Sequence, residues 1–254
     1  MRVRAVLSAA VLTLACTAGA LATALPASAV ANGSDVPQGQ FQFAAKLTMT
    51  NIPKPDGSHY DSACSGALIA PQWIITAGHC FHDVNRKPIS GPVPYDTSVL
   101  LGTTVQSDGL GVTRKVTDVL QAGTNDISLA KLDSPVTGIA PLTVQRDAPT
   151  VGQNVTLAGW GSLSSTDAKP STKMQQGSMA VSQVAATTAG VIGVQPSNTT
   201  SACLYDSGAP YFVPNETSGQ LVSVESDGPD CPHSTPETTA RADVIADWIA
   251  ANAV

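Results

Sequence analysis

The chain has 254 residues, 43% apolar and 13% charged, with a formal net charge of −6. That length suffices for one large domain or two small ones, and an acidic chain without a basic run excludes nucleic acid as a partner. Aromatic residues make up only 4%, so the core is built mainly from Val, Ala, Leu and Ile, while 21 Gly and 18 Pro suit a turn-rich β protein.

Residues 1–29 read as an export signal. "MRVR" is the positive start, "AVLSAAVLTLACTAGALATAL" the apolar run, and Ala27-Ser28-Ala29 a small-x-small cleavage site. Ala, Thr and Ser dilute the run too much for a permanent span, so no stable membrane insertion is expected after cleavage. Cys16 lacks the aliphatic residue three positions upstream that a bacterial lipid-attachment motif wants. Cleavage removes Arg2 and Arg4, moving the net charge from −6 to −8, and leaves Cys64, Cys80, Cys203 and Cys231. An even number of cysteines in an exported chain predicts two disulfides, with three pairings open.

Downstream, short runs of strand character recur between turn signals. Examples are "FQFAAKLTM" (41–49), "GALIAPQWIITA" (66–77), "SVLLG" (98–102), "ISLAKL" (127–132), "NVTLAGW" (154–160) and "QLVSVE" (220–225). "NIPKPDGSH" (51–59) and "SLSSTDAKPST" (162–172) read as loops. The tail "DVIADWIA" predicts a helix over 243–251, with Val244, Ile245, Trp248 and Ile249 on one face and Asp243 as N-cap. Many short strands with one terminal helix mean an all-β sandwich or barrel pair.

Three residues stand out for acyl transfer: His79 in "TAGHC", Asp126 in "NDISLAKL" and Ser207 in "YDSGAP". A serine hydroxyl is a poor nucleophile until an imidazole takes its proton. The imidazole in turn needs a carboxylate to fix its tautomer and stabilise its charged form. Each residue alone is equally at home in a structural turn or strand entry. Their order, His then Asp then Ser on separate loops of an all-β chain, is what gives them weight. The four histidines (59, 79, 82 and 233) show no clean metal-ligand spacing, and neither a metal nor another cofactor is expected.

On these segments the chain resembles the chymotrypsin/trypsin family of serine proteases. "VANGSDVPQGQFQFAAKLTM" looks like the family's aliphatic-led start, "CSGALIAPQWIITAGHC" like "CGGALI…W.LTAAHC", and "NDISLAKL" like "DIALLKL". "LAGWGSL" is similar to "V.GWG", "CLYDSGAP" to "C.GDSGGP", "LVSVESDGPDC" to "LVGIVSWG.GC", and "PETTARADVIADWI" to "PGVYTRVS.Y..WI".

The resemblance implies two packed antiparallel β-barrels with a C-terminal helix, the first over about 30–137 and the second over about 138–242. His79 and Asp126 would come from the first barrel and Ser207 from the second, across a cleft. It implies disulfides Cys64–Cys80 and Cys203–Cys231, with a further family bridge absent because Ile192 sits at one of its positions. Ser226 matches a serine that supports the catalytic aspartate, and Val30, once freed as an amine, would pair with Asp206. Because Val30 directly follows Ala27-Ser28-Ala29, signal cleavage itself would create that amine.

Departures from the family pattern fall in two places. The oxyanion hole would use the backbone N–H groups of Tyr205 and Ser207, but Tyr205 replaces a glycine; Ala209 replaces another, and "GHC" stands for "AHC". If position 205 needs positive φ, a tyrosine there costs roughly 1–2 kcal/mol. The substrate pocket would be formed by Ser201, Glu225, Ser226, Gly228 and Glu237, with Ser201 where trypsins carry an aspartate, two glutamates where small residues are usual, and Asp227 in place of an aromatic. Two functions follow: a secreted, monomeric serine endopeptidase acting on protein or peptide substrates, or a weakened pseudo-protease kept as a secreted binding protein. A β-sandwich adhesin leaves the ordered triad as coincidence.

Overall fold

A computed structural model describes residues 30–254; the export signal assigned to 1–29 lies outside the described residues. Six strands close the first barrel: Ala44–Pro53 (β1), His59–Ala70 (β2), Trp73–Ala77 (β3), Thr97–Leu101 (β4), Val112–Gln121 (β5) and Ile127–Leu132 (β6). They run in the order β1-β2-β3-β6-β5-β4, and β4 pairs back to β1, every neighbour antiparallel. The second barrel is closed by Asn154–Gly159 (β7), Gln175–Val184 (β8), Thr188–Gln195 (β9), Pro210–Pro214 (β10), Gly219–Asp227 (β11) and Glu237–Arg241 (β12). Its order, β7-β8-β9-β12-β11-β10 and back to β7, repeats the topology of the first. Both sheets are closed barrels and leave no long edge exposed. The expected pair of antiparallel barrels with one C-terminal helix is the fold observed.

Local patterns account for which strands face where. In β4, Thr97, Val99 and Leu101 point into the barrel while Ser98 and Leu100 are half-exposed, the period-2 signature of a one-sided strand. β3 is buried at every position, because its outer face lies against β11 of the second barrel. Phe212 of β10 locks the two barrels together: its ring meets Phe41 and Phe43 edge-on at 4.9 and 5.0 Å. The chain ends add straps. Ser34–Asp35 pairs with Gln175–Gln176 of β8, and the Trp73 indole N–H donates to the Val254 carbonyl at 3.0 Å.

Three local expectations are corrected. The run 66–77 is two strands, broken at Pro71-Gln72, where the proline lacks the N–H a continuing ladder would use. Segment 51–59 is mostly a hairpin: β1 continues to Pro53 through a bulge at Met49/Ile52, and β2 starts at His59. Asp243 is not an N-cap. It opens a 3-10 turn (Asp243–Ile245) preceded by Ala242, and its carboxylate pairs with the Arg241 guanidinium, Nε to Oδ1 at 3.0 Å. The α-helix, α1, spans Ala246–Asn252. Because the first turn is not α-helical, the periodicity slips and Val244 is exposed while Ile245 and Ile249 are buried.

Candidate active site

His79 sits in a 3-10 turn, Gly78–Cys80, directly after β3. Asp126 precedes β6, the strand paired with β3, so the ladder itself brings their loops together. His79 N donates to Asp126 Oδ1 at 2.8 Å, and His79 Nδ1 lies 2.7 Å from Asp126 Oδ2. Ser226 Oγ donates to the same Oδ2 at 2.7 Å. Burial alone would raise the Asp126 carboxyl, but the hydrogen bond and charge of His79 and the Ser226 hydroxyl outweigh it and hold it below its usual value. Cys64–Cys80 and Cys203–Cys231 are the disulfides formed, bracketing the histidine turn and the nucleophile loop.

The histidine turn needs its glycine. A Cβ on Gly78 would lie 2.7 Å from Gln121 Oε1 and 3.0 Å from Asp126 Oδ1, and Gln121 Nε2 donates to the Gly78 carbonyl at 2.9 Å. Gln121 thus occupies the space an alanine methyl would take.

Ser207 and His79 line one cavity of about 250 Å³, together with Glu225, Ser226, Asp227, Gly228, Asp230 and Glu237. No hydrogen bond joins Ser207 to His79 among the described residues; such bonds are commonly long in an unliganded site and tighten when substrate arrives. Tyr205 has φ +75° and Gly208 φ +82°. Gly208 is unavoidable, since a Cβ there would lie 2.1 Å from Thr76 Oγ1 and 2.5 Å from the Ser65 carbonyl oxygen. Tyr205 therefore carries a glycine backbone with a side chain on it, a cost of roughly 1–2 kcal/mol. Ala209 is buried but lies outside the positive-φ set, so its methyl brings no such strain. Among the described residues the Tyr205 and Ser207 amide N–H groups donate to no protein acceptor.

Asp206 is fully buried, accepting from Gly161 N at 2.8 Å and Cys203 N at 3.0 Å. Burial pushes its carboxyl up to about 8 against those two bonds. Gly159 and Gly161 form its cradle: a Cβ on either would lie 2.0 or 2.2 Å from the carboxylate oxygens. Val30 is buried in the core of the second barrel, and Ala31 bridges to Ser201. In the intact chain the Val30 nitrogen is a peptide amide, not the amine an ion pair with Asp206 requires.

The pocket residues separate into two groups. Glu225, Ser226, Gly228 and Glu237 line the cavity; Ser201 does not. Ser201 is buried behind the wall, its N donating to the Ala31 carbonyl and its Oγ accepting from His233 N at 3.3 Å. Glu225 accepts from the Tyr211 hydroxyl at 2.7 Å, and burial, then the nearby Glu237 charge, drive its carboxyl well above the usual range. Glu237 Oε1 accepts from Ala202 N at 2.6 Å, while Oε2 has no hydrogen bond and fills the space beside Gly228. Oε2 lies 3.3 Å from His233 Nε2, close enough for an ion pair but not aligned as a hydrogen bond. Burial raises Glu237 to about 8 and lowers His233, so both groups favour their neutral forms.

Ser65, Gln121, Ser162, Tyr211 and His233 were not singled out from sequence. Only Ser65 had a signal to offer, as the residue after Cys64 in "CSGAL". Among the described residues, no group of three or more His, Cys, Asp or Glu side chains is arranged to hold a metal ion.

The family model described as Trypsin matches residues 30–249. A trypsin of Saccharopolyspora erythraea is 30% identical over 228 residues, covering 79% of this chain and 91% of that one. Snake venom serine proteinase 8 of Crotalus adamanteus is 36% identical over 107 residues, and the match spans 39% of either chain. Serine proteinase stubble of Drosophila melanogaster is 29% identical over 156 residues, 58% of this chain and 19% of its own length.

Proposed function

Since the chain belongs to the trypsin family of serine proteases, we propose that it is a secreted serine endopeptidase with Ser207 as nucleophile, His79 as general base and Asp126 as orienting carboxylate. Ser207 Oγ attacks the substrate carbonyl carbon while His79 Nε2 takes its proton. Oxygen becomes negatively charged as the tetrahedral intermediate forms, and the free N–H groups of Tyr205 and Ser207 receive it. His79 then returns the proton to the leaving amine, giving the acyl-enzyme. Water repeats the cycle and releases the acid.

One observation carries this reading: a charged Asp126, held by Ser226, fixes His79 on the wall of the cavity that Ser207 also lines. The cavity supports entry of a cationic side chain. Glu225, Asp227, Asp230 and Glu237 line it, and Glu237 Oε2 is left without a hydrogen-bond partner. Cleavage after Ala29 would free the Val30 amine to neutralise Asp206, which is buried without a cationic partner among the described residues.

A pseudo-protease reading draws on two features, the left-handed Tyr205 and the Glu237 carboxyl packed against Gly228. Active-site titration separates them. A fluorophosphonate that labels the wild type and not Ser207→Ala supports the endopeptidase; no label on a folded chain beginning at Val30 supports the binding protein.

A further inference from the structure

Tyr205 holds φ +75° despite its side chain, and strained backbone persists only where its surroundings over-determine it. Two amide planes meet at the Tyr205 Cα, and each is tied. In the Leu204–Tyr205 plane, which carries the Tyr205 N–H, the Leu204 carbonyl accepts from Ser162 N at 2.7 Å. The Tyr205–Asp206 plane is tied at both ends: Asp206 N donates to the Cys203 carbonyl at 2.9 Å, and the Tyr205 carbonyl accepts from Ser65 Oγ at 3.2 Å.

Among these three partners Ser65 alone contributes a side chain. Its hydroxyl is fully buried and accepts from Trp160 N at 3.0 Å. With that N–H on its lone pair, its one proton is directed at the Tyr205 carbonyl. Its backbone grips the same loop, since Ser65 N donates to the Ser207 carbonyl at 2.9 Å. Ser65 belongs to β2 of the first barrel, while its partners belong to the second.

We infer that Ser65 is a positioning residue for the oxyanion hole, its hydroxyl holding Tyr205 in the left-handed backbone that a glycine would adopt without help. The inference rests on the endopeptidase reading for its kinetic consequence, though not for its structural one. Without the hydroxyl, the Tyr205–Asp206 plane keeps one tie instead of two, and a backbone rearrangement at Tyr205 that relieves positive φ turns the Tyr205 N–H out of the hole. Complete loss of one oxyanion donor lowers kcat on the order of 10²–10³, which bounds the effect from above.

Four proteins test this: wild type, Ser65→Ala, Tyr205→Gly and the double variant. Ser65→Ala is expected to lower kcat at least about tenfold with KM changed less than about twofold. In the Tyr205→Gly background the same change is expected to lower kcat less than about threefold, because glycine needs no clamp. A role confined to satisfying the Trp160 N–H predicts equal losses in both backgrounds, and equal losses overturn the inference. Crystal structures of the two Ser65→Ala proteins give a readout independent of activity. The expected result is a rotated Leu204–Tyr205 peptide with negative φ at Tyr205 in the single variant and the wild-type peptide orientation in the double. An unrotated peptide in the single variant overturns the inference. A wild type that takes no fluorophosphonate overturns the endopeptidase reading instead, and the structures still decide the clamp.

Discussion

Ser226 and His79 converge on one oxygen: each places a donor 2.7 Å from Oδ2 of Asp126. An ionised carboxylate only accepts, so the His79 proton sits on Nδ1 and leaves Nε2 free to receive one. Asp126→Asn, which can instead donate and reverse the tautomer, is expected to lower kcat on the order of 10⁴-fold. Ser226→Ala removes one hydrogen bond to a charged group, worth about 1.5–3 kcal/mol; steady-state kinetics on a peptide ester should show a tenfold to hundredfold loss, as an order of magnitude, with little change in KM.

Gly78 and Gln121 compete for the same space. Gly78→Ala places a methyl 2.7 Å from Gln121 Oε1, whose amide also holds the Gly78, Phe81 and Ile89 carbonyls. Chemical denaturation should show Gly78→Ala destabilised by roughly 1–3 kcal/mol, the range for overpacking a filled site. Adding Gln121→Ala should offset part of that loss, and a strictly additive pair would contradict the packing argument.

Asp206 gives the intact chain a pH signature. Its folded carboxyl sits at about 8 against an ordinary 3.8, so the folded chain binds the extra proton. The stability tied to that proton is full below about pH 4 and is lost as pH rises through about 8. A chain beginning at Val30 offers an amine that stabilises the ionised carboxylate and flattens this slope. Thermal melts between about pH 5 and about pH 8 should therefore fall more steeply for a chain extended ahead of Val30 than for the chain that starts there. Glu225 and Glu237 are raised in both chains, so the difference between the two slopes, not either slope alone, reads the Val30 amine. Equal slopes contradict the Val30–Asp206 pairing.

Glu237 should decide what enters the cavity. An incoming cation makes ionisation of its raised carboxyl favourable, an interaction of about 1.4 kcal/mol for each tenfold in kcat/KM. Glu237→Gln is expected to lower kcat/KM at least about tenfold for a substrate with arginine before the scissile bond, while a matched leucine substrate is little affected. For the wild type, kcat/KM on the arginine substrate should rise with pH toward about 8, as the carboxyl ionises. An unchanged ratio between the two substrates contradicts this assignment.

The all-β class and the His-Asp-Ser order were legible because they rest on apolar strand cores such as "ISLAKL" and on short loops with distinctive residues, while the choice of a barrel pair over a sandwich came from the family resemblance. Strands β8 and β12 were not legible. β8 alternates correctly, but its sequence "QQGSMAVSQV" is small and polar, and β12 buries Glu237 and Arg241 in "ETTAR", so hydropathy hides both. Ser201 was placed in the pocket by its spacing from Ser207, yet its side chain turns to His233 N instead of the cavity. Spacing along the chain sets a backbone position and leaves open which way a side chain turns. The contacts of Ser65 and Gln121 likewise join strands to loops far away in the chain, and no local pattern encodes them.

The central claim is that the Ser207 hydroxyl, served by His79, performs acyl chemistry in the cavity they share. Its most direct measurement is intact-protein mass spectrometry of the chain beginning at Val30 after treatment with a fluorophosphonate, beside Ser207→Ala and His79→Ala. One adduct on the wild type, mapped to Ser207 and missing from both variants, is the result this account predicts. A folded wild type that stays unmodified, or modification that persists when position 207 is alanine, contradicts it.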